Sequence, residues 1–150
     1  MGSVSRVRPG FVLLLVVLSG CIAPAFTAEQ YRHKASDAAD HAASALALIQ
    51  LAVTQAEYHG LYLPAVEVAV ADASEMVESI NGAMGSVKPP DDPSQMLREQ
   101  VLGLLDRAEE AASSARIALQ RGRLEDAVKA AEEAGSLADE LEAMSKELEK

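Results

Sequence analysis

His33, Asp37 and His41 follow one another at four-residue spacing, and imidazole and carboxylate together are the donor set of a zinc-type site. On a helix that spacing sends all three from one side, but it also spreads them over about 12 Å of axis, so convergence on one ion needs a further ligand from elsewhere. The reading preferred here is a solvated helix face. A di-metal carboxylate centre in a helical bundle would need Glu-x-x-His pairs, and the residues three before His33, His41 and His59 are Gln30, Ala38 and Ala56. No metal or other cofactor is expected. Tyr58, His59 and Tyr62, with Leu61, gather two of the three tyrosines beside an imidazole. They form either a contact surface or, the preferred reading, a turn whose tyrosines cap the end of a core.

Cys21 is the only thiol, so no disulfide forms within one chain. It stands behind "FVLLLVVLSG", itself preceded by Arg6 and Arg8 with no acid, which is the charged, apolar, small-residue order of an export signal. Eight strongly apolar residues are too few to span a bilayer, for which roughly 20 are needed. Leu18-Ser19-Gly20-Cys21 resembles the bacterial lipobox at all four positions. That resemblance implies cleavage before Cys21 and acylation of its sulfur. Several acyl chains, each adding about 0.8 kcal/mol per buried methylene, would hold the protein on the outer face of the cytoplasmic membrane. The alternatives are a soluble secreted protein cut after Ala23-Pro24-Ala25 and an uncleaved anchor. Residues 1–20 are thus expected to be a lipoprotein signal peptide, 21–28 a tether, and 29–150 the folded domain.

That domain reads as all-α. The 150 residues include 28 alanines, no Trp and only 3% aromatics, a composition for closely packed helices. Ala35, Ala38, Ala42, Leu46, Ile49, Val53 and Ala56 step by three and four along a first helix. Gly60 ends it, and Pro64 suits the first turn of a second helix with a stripe of Val66, Ala69, Ala73, Met76, Ile80 and Met84. "KPPDDPS" stops that helix, with Asp92 expected as the next N-cap and Pro93 at the first helical position. Leu97, Val101, Leu104, Ala108, Ala111, Ala115 and Ala118 form a third seam. Gly122 is placed for a left-handed helix end, and Leu124, Ala127, Ala131, Ala134, Ala138, Leu141 and Leu148 make a fourth. Short connections favour an antiparallel up-down-up-down four-helix bundle with Ala-rich seams.

The formal charge is −10. All acids lie beyond Cys21, so a chain beginning there carries 11 basic against 23 acidic residues, a net −12. Such a surface repels phosphate backbones, and with few aromatics no nucleic acid partner is expected. The acidic polar faces also lack the Lys and Arg rims of helices that open onto lipid. No nucleophile elbow, P-loop or dinucleotide fingerprint occurs, and the expectation is a protein that is not an enzyme.

The stretches "YRHKASDAADHAASALALIQLAV", "YLPAVEVAVADASEMVESINGAMGSVKPPDD" and "LLDRAEEAASSARIALQRGRLED" together resemble a group of small uncharacterised, lipoprotein-like helical proteins exported by high-GC Gram-positive bacteria. The resemblance implies an envelope protein tethered through Cys21. Its partners would be the membrane and an unknown envelope protein, or, as an alternative, a metal or small ligand held in the bundle.

Overall fold

The computed structural model describes residues 27–60 and 62–150, and these form four α-helices without a strand among them: α1 (Ala28–His59), α2 (Leu63–Ser86), α3 (Asp92–Gln120) and α4 (Leu124–Leu148). Each helix packs on its neighbours in the chain, and α1 packs on α4 along the most extensive interface, closing a ring; α1 also meets α3 across the centre. Arg107 on α3 pairs with Glu140 on α4, and Ser36 near the start of α1 meets Ser145 near the end of α4. The serine contact and the tight turn at Gly122 make α1 and α3 each antiparallel to α4. The expected up-down-up-down bundle is the fold.

Local chemistry sets the ends. Thr27 and Gln30 form a reciprocal capping box: Thr27 Oγ1 accepts from the Gln30 backbone N–H at 3.1 Å, while the Thr27 N–H donates to Gln30 Oε1 at 3.0 Å. Gly60, at φ 60°, ends α1 in the left-handed region where a side chain would be strained. At the end of α3 the Arg123 N–H reaches the Ala118 carbonyl and the Gly122 N–H the Leu119 carbonyl, with Gly122 at φ 66°. That is a Schellman termination, and it turns the chain directly into α4. Glu125 and Asp126 then lie in the first turn of α4, favourably placed against its positive end. One cap differs from expectation: Asp91, not Asp92, accepts from the Ser94 N–H, so α3 begins at Asp92 and Pro93 is its second residue. Either position tolerates a proline, because neither N–H has a partner inside the helix.

Alanine dominates the core by number, but volume comes from a sparse set of larger side chains. Tyr31, Leu46, Ile49, Met84, Leu105, Leu137 and Leu141 are fully buried. Each Leu or Ile contributes about 2 to 3 kcal/mol by leaving water, whereas each alanine adds little area and mainly permits close approach. The α1 seam is buried as expected except for Ala38, which is half-covered. In α2 the buried stripe runs through Val66, Val70, Ala73, Val77 and Met84, and Met76 is 52% exposed. In α3 Leu105 takes the central place expected of Leu104.

Candidate functional site

The ring places the chain's features at two poles. One pole holds the start of α1, the end of α2, the start of α3 and the end of α4, where Ala28, Glu29 and Arg32 line a groove with Pro93, Ser94, Leu97 and Leu148. The opposite pole holds the turns at Gly60 and Gly122. Cys21 and the leader lie outside the described residues. The N-cap residue Thr27, at the first pole, follows Cys21 by six positions in the sequence.

His33, Asp37 and His41 are all exposed on α1. Asp37 and His41, with Lys34 and Ala38, face Ile80, Ala83 and Met84 of α2 across a shallow groove of about 260 Å³; His33 is not part of it. Successive steps of four leave each side chain rotated by about 40° from the one before, and this separates His33 from the pair. Among the described residues no three His, Cys, Asp or Glu side chains stand close enough to share a metal ion.

Tyr58 and Tyr62 are 73% and 75% exposed and His59 is exposed, so the tyrosines do not cap the core end as preferred from the sequence. Val66 and Ala56 complete the core at that level. What remains is an aromatic cluster in solvent at the pole farthest from Thr27.

Two polar arrangements were not foreseen. Asn81 of α2 donates through Nδ2 to Asp106 at 2.9 Å and to Glu109 at 2.8 Å, tying α2 to α3. The same two carboxylates line a groove with Glu110, Ser113 and Ser114. The amide relieves their mutual repulsion, and the lone Asn within the last turns of α2 was the available sequence signal. At the first pole Arg98 donates to the Gly85 carbonyl at 2.8 Å, satisfying one of the free carbonyls at the end of α2. Nearby, the Tyr31 phenol is fully buried, and its oxygen has no hydrogen-bond partner. Burial pushes this phenol above its usual range, and the Arg98 charge pulls it partly back.

No described helix is long and apolar enough to cross a membrane. No protein-family model matches the chain, and no curated protein or solved structure matches it.

Proposed function

We propose that this is a non-catalytic lipoprotein, acylated on Cys21, whose four-helix bundle acts as a binding or structural module at the cell envelope. The observation that carries the reading is the order of the N-terminal residues. Two arginines, eight apolar residues and Leu-Ser-Gly-Cys are followed within six positions by a capped helix start. Six residues reach at most ~21 Å when extended. A domain on so short a tether stays near the bilayer, and Thr27 and the Tyr58, His59 and Tyr62 cluster stand at opposite ends of a rod about 48 Å long, the length of α1. In this reading that cluster is a contact surface.

The non-catalytic reading rests on the sequence, where no nucleophile elbow, P-loop or dinucleotide fingerprint occurs. The grooves among the described residues lie open on the outside of the bundle. Lining residues such as Lys34, Asp37 and His41, or Asp106, Glu109 and Glu110, are charges on helix exteriors.

Intact mass of protein extracted from the membrane of an exporting bacterial host tests the proposal. The expected product begins at Cys21 and carries the mass of a diacylglyceryl group. The Cys21→Ala chain should lose that mass and yield fewer envelope partners on affinity recovery. An unmodified chain beginning near Phe26 would mean a soluble secreted protein instead.

A further inference from the structure

Between His41 and Glu57 α1 carries no charged residue, although the helix is part of a strongly acidic chain. Its outward side there is apolar at the centre: Leu48 is 45% and Leu51 57% exposed, and on α2 Val68 is 61% and Met76 52% exposed. The register that sets His41 beside Ile80 puts Leu48 level with Ala73, within a turn of Met76, so the outer sides of the two helices run side by side. His41, Ser44, Leu48, Leu51, Gln55 and Tyr58 advance by alternating steps of three and four, and all but half-buried Gln55 are exposed. This is a second seam, on the side of α1 turned away from the core seam through Leu46 and Ile49.

We propose that this face binds a second copy of the chain, with the two α1 helices antiparallel. The seam is self-complementary about a single midpoint between Ile49 and Gln50. In that register Leu48 lies opposite Leu51 of the second copy, Ser44 opposite Gln55, and His41 opposite Tyr58. Apolar meets apolar, polar meets polar, and the imidazole meets an aromatic ring. A parallel pairing would instead set His41 against His41 and bring Asp37 and Asp40 against their own copies, a like-charge arrangement. Two chains of net charge −10 can approach here because this stretch of α1 adds no further acid to the contact.

The stripe from His41 to Tyr58 with its α2 neighbours is roughly 28 Å long and roughly 18 Å wide, so two copies bury about 1,000 Å², the lower edge of specific interfaces. Asp72 on α2 is exposed within the same outer face and opposes closer packing. An interface at this lower edge, with Asp72 in it, suits a weak, transient dimer. The pairing stands whether or not Cys21 is acylated; if it is, the two Thr27 ends leave at opposite poles, and a doubly tethered pair lies along the bilayer.

The full chain carrying Cys21→Ser, in nonionic detergent, is examined by sedimentation across roughly 1 to 200 µM, the range an interface of this area calls for. A monomer–dimer equilibrium is expected. Leu51→Glu should raise its midpoint at least about tenfold with the helical circular dichroism unchanged, as a desolvated charge at the centre requires. Independently, the His41→Cys, Tyr58→Cys double variant on the same background, mildly oxidised and peptide-mapped, should give bridges between positions 41 and 58 of different copies. Monomer at every concentration, a dimer indifferent to Leu51→Glu, or bridges joining 41 to 41 and 58 to 58 would each overturn the proposal.

Discussion

The Ser36 and Ser145 hydroxyls share a hydrogen bond at 3.0 Å inside the α1–α4 interface, and the Ser36 hydroxyl also lies 3.2 Å from the Ser145 carbonyl oxygen. Both residues are buried, at 3% and 4% exposure. They are separated by nearly the whole folded chain, so this contact joins its beginning to its end.

Removing either hydroxyl leaves the other with a poorer partner in a dry site. Ser36→Ala and Ser145→Ala are each expected to cost about 1 kcal/mol in urea unfolding, and the double variant less than the two together. Strict additivity would show that the two hydroxyls do not act as a pair.

Farther along the same interface the Gln50 side chain lies over Gly135, where a methyl group would collide with its carboxamide. Gly135→Ala therefore gains helix propensity, about 1 kcal/mol, but must displace an exposed, flexible side chain. The gain should appear in full only on a Gln50→Ala background. Equal effects on both backgrounds would remove the collision from the account.

Tyr31 gives an alkaline signature. Its phenol titrates higher in the folded than in the unfolded chain, so it favours the fold below the unfolded value of about 10, and that contribution disappears as pH rises through the folded value. Tyr31→Phe deletes an oxygen without a partner and should be neutral or stabilising by up to about 1 kcal/mol at pH 7. Thermal melts between pH 8 and pH 11 should show a shallower alkaline decline in the variant than in the parent.

Asp91 gives the acid counterpart. Hydrogen bonding from Ser94 holds its carboxyl below the usual aspartate range, so the cap stabilises α3 above the unfolded value and fades as pH falls through the lower folded value. Asp91→Asn keeps an acceptor for the Ser94 N–H but has no carboxylate to protonate. Its melting temperature should vary less than the parent's between pH 5 and pH 2, and equal slopes would place the acid sensitivity elsewhere.

The helices and their breaks were legible because each has a strong local cause. Gly60 and Gly122 provide the left-handed ends, Pro64 and Pro93 open helices, and the α1 alanine spacing marks the core face. Which side of α2 faces inward was less legible. With Ala69, Ala71 and Ala73 interleaved among Val66, Val68 and Val70, stripes one residue apart look equally apolar. The bundle chooses by packing α2 between α1 and α3, which buries Val70 and Val77 and turns Met76 outward. Leu105 displaces Leu104 for the same reason. Around the candidate sites, four-residue spacing put His33, Asp37 and His41 on one side of α1, and the structure sets Asp37 and His41, without His33, along one groove. The spacing said nothing of α2, which supplies the opposite wall through Ile80, Ala83 and Met84. The Thr27 to Gln30 box was readable as T-x-x-Q before an apolar-periodic segment, whereas Asn81 bridging Asp106 and Glu109 depends on a register between helices that no local pattern encodes.

Closing the ring with α1 against α4 makes the most extensive interface one between helices far apart in the chain. The longest apolar face in the molecule, that of α1, stays without its main partner until the final 25-residue helix has left the ribosome and, for an exported chain, crossed the membrane. Until α4 arrives, the side of α1 that it covers stays open to water and to other chains.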